Sequence, residues 1–419
     1  MRLKILLIIG TFSLMIACVT VQPSNQPTNY SYHYNPTEGK MSPEFLIVSQ
    51  SESKVRLYIK LKTRELRFSK ANPDVQLRAE PEIMYLTVPS FKDRTVIDSS
   101  KSELKIRYNK YQTELVTFFD VHTDYLQDFI IYIKIKDKYS GKETKHFVRG
   151  INKKQDNRCR YLLKQVNGKP IFNSYVNAND TLIISKPADG ASGKIFVKYY
   201  SEVFPPAYAP FDTDKPDRQS LTPDAEYALS VNNWQTRFVT RKKGLYHFQS
   251  DTTQDGGILL YAGRKDFPDF TTPEQLIEPL LYITQSSEYE SLIQAKNKKL
   301  EIDKFWIKAA QNKEKARQLI RVWYNRAKYA NIYFTSYKEG WKTDRGMVYM
   351  LFGPPDILNY NDLGEKWIYR SGSNKGQEFQ FVSENSDISA RNFSLSRNLK
   401  YTNNWYQAVD SWRQGQIYE

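Results

Sequence analysis

Cys18 is the residue whose surroundings most narrowly define a chemistry in this chain of 419 residues. Arg2 and Lys4 make a basic start, Ile5 to Ile16 an apolar run, and Met15, Ile16 and Ala17 lead into the thiol as a cleavage site would. That run is too short to cross a bilayer, which takes about twenty residues, so residues 1–17 read as an export signal. A cysteine directly after such a site would stand at the new amino terminus, where its thiol is open to modification. The blander reading is an ordinary secretory signal with an incidental cysteine. Cys159 then has no partner for a disulfide within the body of the protein, and is expected as a buried or idle thiol.

The second constellation is Gly340, Trp341, Thr343, Asp344 and Arg345. An aspartate beside an arginine offers a ligand-binding pair, and with Trp341 and Thr343 it would line a groove for a peptide or glycan. Against that stands Trp341 as a core anchor, Asp344 as a cap or turn residue, and Arg345 as a solvated cation. The familiar catalytic patterns are missing. The four histidines, His33, His122, His146 and His247, have no metal-ligand spacing, and no nucleophile elbow, P-loop, dinucleotide fingerprint or H-E-x-x-H occurs. Carboxylate pairs such as Asp212 with Asp214 carry little weight among 46 acidic residues.

The elements around the second constellation follow from spacing. Leu319, Ile320, Trp323, Ala327 and Ala330 recur every three or four residues, which predicts a helix with one apolar face. Gly340 is expected at a helix exit with positive φ, and Gly346 at a chain reversal. Met347 to Phe352 is short enough for a strand, stopped by Gly353, Pro354, Pro355 and Asp356. Glu365 to Arg370 and Gln377 to Val382 would complete a three-stranded antiparallel meander under the helix.

The run from Phe305 to Asp356, with Gly340, Trp341, Thr343 and Asp344 at its centre and Arg345, Gly346, Gly353, Pro355 and Asp356 flanking, resembles the GWxTD domain of bacterial envelope proteins. The likeness covers roughly residues 270 to 410. It implies an exported, usually membrane-anchored protein and transfers no catalytic residue. More loosely, the architecture is similar to small lipoproteins that assist outer-membrane protein assembly, an analogy of form alone. The leader resembles a bacterial lipoprotein signal, with Met15 where leucine is more usual, and the resemblance implies thioether lipidation of the Cys18 thiol, cleavage before it and acylation of the new amine. Val19 and Thr20 after the cysteine, with no aspartate, imply sorting to the outer membrane on its periplasmic face.

Residues 18–43 are rich in Pro, Asn, Ser and Tyr and read as a lipid-anchored flexible tether. In residues 44–152, Val55, Leu57, Ile59 and Leu61 alternate with polar or amphipathic neighbours. Phe129, Ile131, Ile133 and Ile135 do the same, and strands are also expected at Met84 to Val88 and Leu115 to Val121. Residues 153–265 repeat the pattern with six further strands, between Ile171 and Ala262. The loop between Ser201 and Asp224, with Phe204, Tyr208 and Phe211, either forms a binding lip or drapes across a seam between domains. Residues 266–419 form the GWxTD-like part, opening with a cap at Thr272 and Pro273. The expected fold is mainly β with an α+β C-terminal part: two immunoglobulin-like β-sandwich domains, then a helical segment packed on a small antiparallel sheet.

The formal charge of +15 falls to +13 when Arg2 and Lys4 leave with the signal. The charge is scattered, without a block of like residues, so nucleic acid is not expected as a partner; acidic glycans or lipopolysaccharide fit it better. The expectation is an outer-membrane lipoprotein, attached to the membrane through its N-terminal lipid and working with an envelope protein complex as a non-catalytic binding or scaffold component. It needs no cofactor. The alternatives are a hydrolase or transferase acting on envelope polymers, and a small-ligand receptor.

Overall fold

A computed structural model describes residues 28–418, apart from 37, 71–75, 124–127, 152–155, 188–191, 202–203, 215–221, 234, 254, 371, 373–374 and 385–387. The expected signal, Cys18 and the first part of the expected tether lie outside these residues. The first β region is a sandwich. One sheet has Lys54–Lys62 at its centre, flanked by Glu44–Ser49 and Glu114–His122. The other is ordered Asp98–Glu103, Pro81–Val88, Phe129–Asp137, Glu143–Gly150. All these neighbours are antiparallel. Val55, Leu57, Ile59 and Leu61 from one layer and Ile83, Tyr85, Ile131, Ile133 and Ile135 from the other form a single buried cluster. Their period-two spacing is what places them on one face of each sheet.

The second β region departs from the two-sheet expectation. It is one eight-stranded sheet, and its last strand, Tyr175–Asn177, pairs parallel to Ile258–Gly263. Gln235–Val239 and Gly244–Gln249 are separated in the sheet by two strands, so a flat sheet would hold them roughly 14 Å apart. Yet the Phe238 ring sits 5.5 Å from both Tyr246 and Phe248. The sheet therefore curls over its own core, aided by the hairpin at Asn232 and Gln235, the one registered pair among the described residues that joins its two halves.

Beyond Gly263 the described residues form six α-helices: α1 (Pro273–Ile277), α2 (Ser286–Gln294), α3 (Lys298–Ala310), α4 (Lys313–Phe334), α5 (Asp344–Phe352) and α6 (Thr402–Arg413). Thr272 opens α1 with a capping box to Gln275, and Asn312 opens α4 by accepting from the Lys315 N–H at 2.8 Å. They pack with a four-stranded antiparallel sheet, in order Ile357–Asn361, Gly364–Ile368, Glu378–Ser383, Phe393–Leu395. Among the described residues no helix is long and apolar enough to cross a membrane.

Three local expectations are corrected here. Met347 to Phe352 is the body of α5, buried on every side, and the strand after the double proline is Ile357–Asn361. A short run that is apolar throughout has no period to separate helix from strand, and the Thr343 cap decides for helix. The meander accordingly has four strands. The tether is shorter than expected, because Tyr30, Ser31 and Tyr34 are buried against the C-terminal core and the Tyr30 N–H donates to the Leu358 carbonyl at 2.9 Å.

Candidate functional site

The last turn of α4 holds the Gly340 to Asp344 stretch by its backbone. Asn331 is wholly buried; its Oδ1 accepts from the Trp341 N–H at 3.2 Å while its Nδ2 donates to the Pro268 carbonyl at 3.1 Å. Thr335 Oγ1 donates to the Asn331 carbonyl at 2.6 Å and accepts from the Gly340 N–H at 3.0 Å. A Cβ on Gly340 would lie 2.0 Å from the Ala330 oxygen, and one on Gly346 would lie 1.9 Å from the Gly340 oxygen. Neither glycine has positive φ, which corrects the expected helix exit and chain reversal. Both are glycine because two backbones touch there. Gly353 is the one of the three with φ of 79°, ending α5 against the Arg326 guanidinium.

Trp341 is 1% exposed and its Nε1 donates to Glu339 Oε2 at 2.8 Å. The other carboxylate oxygen, Oε1, accepts from Tyr261 Oη at 2.8 Å and faces Lys243 Nζ at 3.1 Å and Arg264 Nη1 at 3.4 Å. Burial alone would raise the Glu339 pKa. Lys342, Lys243 and Arg264, with the indole N–H, outweigh it and hold the carboxyl at about 2. Glu278 goes the other way, pushed up by burial and then by Glu339. The Tyr261 hydroxyl is raised by burial and by the same carboxylate.

Thr343 caps α5: its Oγ1 accepts from the Gly346 N–H at 3.1 Å and donates to the Gly340 carbonyl at 2.7 Å. Asp344, the first residue of that helix, takes both nitrogens of Arg397 at 2.6 and 3.0 Å, and the Leu395 N–H at 2.7 Å. A carboxylate at a helix N-terminus is favoured by the helix dipole as well. Arg345 is not the solvated cation expected. It is 3% exposed, with Nη1 2.7 Å from Glu365 Oε1 and Nη2 donating to the Arg391 carbonyl at 2.8 Å. Its guanidinium lies over the rings of Phe393, at 3.9 Å, and Phe334, at 4.8 Å. In the first turn of a helix whose residues from Arg345 to Phe352 are all buried, the arginine is almost wholly withdrawn from water. Tyr34 Oη donates to Glu365 Oε1 at 2.7 Å, and Trp367 Nε1 donates to Oε2 at 2.9 Å.

Pro355 is buried in the turn after α5, and Asp356 accepts from the Arg370 N–H at 2.6 Å, which closes that turn onto the next hairpin. Each polar group of the stretch is thus engaged inside the protein.

Residues 244–414 match the family model of the GWxTD domain. This chain carries a GWxTD domain. The match begins at Gly244, earlier than the motif suggests, so it takes in the strands Gly244–Gln249 and Ile258–Gly263 of the curled sheet. No curated protein matches. Among solved structures, the chain is similar over 33% of its length to Bacteroides uniformis β-glucuronidase 2 covalently bound to cyclophellitol-6-carboxylate aziridine, at 10% identity and a TM-score of 0.16. It spans 16% of that enzyme. It is similar over 59% of its length to CBD12 from CALX1.2, covering 89% of that chain at 14% identity and a TM-score of 0.16. Both overlaps are too loose to bear on fold or function.

The early start of the GWxTD match has a physical counterpart in Tyr261 and Arg264, which come from the β side and complete the Glu339 cluster. Glu339 itself stands one residue before the motif, Asn331 lies nine residues before it on the last turn of α4, and Glu365, Arg397 and Tyr34 complete it from far along the chain; spacing alone gives none of them. The aromatic density of Tyr30, Tyr32 and Tyr34 was the available signal that this segment packs. The loop after Ser201 drapes over the GWxTD domain: Phe204 meets Tyr337 at 5.1 Å, Phe211 meets Tyr406 at 5.5 Å, and the Ala207 N–H donates to the Lys342 carbonyl at 2.8 Å. Among the described residues no group of three or more His, Cys, Asp or Glu side chains is placed to hold a metal.

Proposed function

We propose that this protein is an outer-membrane lipoprotein, anchored through Cys18 on the periplasmic face, that serves as a non-catalytic binding or scaffold component in envelope assembly, secretion or glycan handling. One observation supports the scaffold reading above the others. The polar groups of the GWxTD stretch are spent on internal bonds, Arg345 on Glu365 and Asp344 on Arg397, so the motif works as a structural keystone and recognition falls to the surrounding surfaces. The partner is an envelope protein complex. The excess of basic residues suits a membrane of anionic headgroups, lipopolysaccharide or acidic glycans.

The test is crosslinking in intact membranes followed by capture of the tagged protein. Recovery of one defined envelope complex, lost when the draped loop is disrupted by Phe204→Ala and Phe211→Ala in a folded variant, supports the reading. Absence of any protein partner in membranes that retain the lipidated chain would sink it.

A second reading, a ligand receptor, draws on a cleft of about 540 Å³ where Lys60 and Val116 of the first sandwich face Phe172, Tyr175 and Phe267. Its volume falls in the range of small-molecule sites. Saturable binding of envelope oligosaccharides, abolished by Phe172→Ala, would move this reading to the front.

A further inference from the structure

Two imidazoles face each other where three parts of the chain meet. His33 lies on the segment running beneath the C-terminal sheet, and His146 on Glu143–Gly150 of the first sandwich. Their rings stack with centroids 4.7 Å apart and planes 5° from parallel. His33 Nδ1 is 3.3 Å from Tyr360 Oη and its Nε2 3.4 Å from the Lys145 carbonyl. His146 is 5% exposed, and its Nε2 has no hydrogen-bond partner among the described residues. Tyr32 and Phe45 close the far side of His146 at 5.8 and 5.2 Å.

The charges that face the pair do not favour a proton. The segment's own Tyr30 and Tyr32 are held neutral, chiefly by burial, and its Lys40, 3.4 Å from Glu38, opposes protonation of His33. From the first sandwich, Glu143 is tied to Lys134 at 2.9 Å, and Lys145 presents its carbonyl. From the C-terminal sheet comes Tyr360, neutral through burial. Among the described residues no carboxylate is hydrogen-bonded to either ring. Burial, outweighing the Lys145 carbonyl that favours a proton and helped by Lys40, holds His33 at about 4, and burial followed by the neighbouring His33 imidazole holds His146 well below the ordinary value.

We infer that this stack is an acid-released clasp: protonation of His33 and His146 unseats the Asn29 to Tyr34 segment from its place between the first sandwich and the C-terminal sheet. The seated state binds fewer protons than the released one, so acid favours release. The effect begins near the ordinary imidazole value of about 6.5 and grows down to about 4. From pH 7.5 to pH 5, His33 alone shifts the balance roughly ten- to thirtyfold toward release. Release breaks the Tyr30 N–H to Leu358 bond and the Asn29 Nδ2 to Asp356 carbonyl bond, both 2.9 Å. It also uncovers an aromatic surface that includes Phe147 and Tyr360.

Hydrogen exchange of the full chain, read by mass spectrometry on the peptide spanning residues 29–34 and corrected for intrinsic rates, tests this. Protection should fall at least tenfold between pH 7.5 and pH 5 in the wild type. It should stay level in the His33→Phe, His146→Phe double variant and fall as in the wild type when the exposed His122 is changed to Gln. If the wild type shows no fall, or the double variant falls equally, the clasp is overturned. Should the double variant not fold, titration of the two imidazoles by NMR in the wild type decides: ordinary values near 6.5 with the segment still protected would equally overturn it.

Discussion

The Arg345 guanidinium and the Glu365 carboxylate meet at 2.7 Å with each side chain at most 3% exposed. Taking two charges out of water is costly, and the arrangement is held by what surrounds it: Tyr34 and Trp367 on the carboxylate, and the Arg391 carbonyl with two aromatic faces on the guanidinium.

Removing one partner should therefore cost more than removing both. Arg345→Met leaves Glu365 charged and buried, and is expected to lose about 3–5 kcal/mol. Arg345→Met with Glu365→Leu should recover part of that loss. Urea unfolding followed by tryptophan fluorescence checks the order; a double variant less stable than Arg345→Met would contradict it.

A glycine-to-alanine change inside a helix ordinarily stabilises by up to about 1 kcal/mol. Gly346→Ala should reverse that sign, because the new methyl would meet the Gly340 oxygen at 1.9 Å. The expected loss is about 1–3 kcal/mol or more, the range for overpacking against a partner that cannot move away. The midpoint of thermal unfolding reads it directly.

Glu339 makes acid stability predictable. Its carboxyl is depressed to about 2, so its contribution is fully present above the ordinary carboxylate value of about 4.5 and is lost as pH falls from there to about 2. The shift corresponds to a contribution on the order of 3 kcal/mol. Glu339→Gln should flatten the stability profile between pH 4.5 and pH 2 while lowering stability at neutral pH. An unchanged acid limb would show that the cluster with Lys243, Arg264 and Lys342 does not set it.

Trp341→Phe keeps most of the ring volume and loses the Nε1 bond to Glu339, an expected cost of about 1.5–3 kcal/mol for a bond to a charged acceptor. Trp341→Ala adds a cavity and should cost about 3–5 kcal/mol. Near-ultraviolet circular dichroism alongside denaturant titration separates local loss of packing from global unfolding.

The half-buried strands were legible because alternation carries their geometry: Val55 to Leu61 and Ile131 to Ile135 are buried on alternate residues as their sequence implies. The α4 stripe of Leu319, Trp323, Ala327 and Ala330 was legible for the same reason at a different period. α5 was not, since burial on all sides erases the period, and only Thr343 placed two residues before Arg345 hinted at a cap. Arg345 was misread because a lone arginine next to an aspartate is ordinarily solvated. Its partner Glu365 is set by the fold of the sheet, and no local rule gives it. The segment from Tyr30 to Tyr34 was misread by composition, which weighs polar and proline-rich neighbours and misses where four ring-bearing side chains can dock.

Tyr34 also imposes an order on assembly. Its partners Arg345 and Glu365 lie 311 and 331 residues further along the chain. A ribosome must therefore finish both β regions and reach the last sheet before this early segment has a seat. Until then its tyrosines stay uncovered, open to chaperones or to other chains, and the central arginine cannot enter its final environment until the earliest-made segment comes back to close over it.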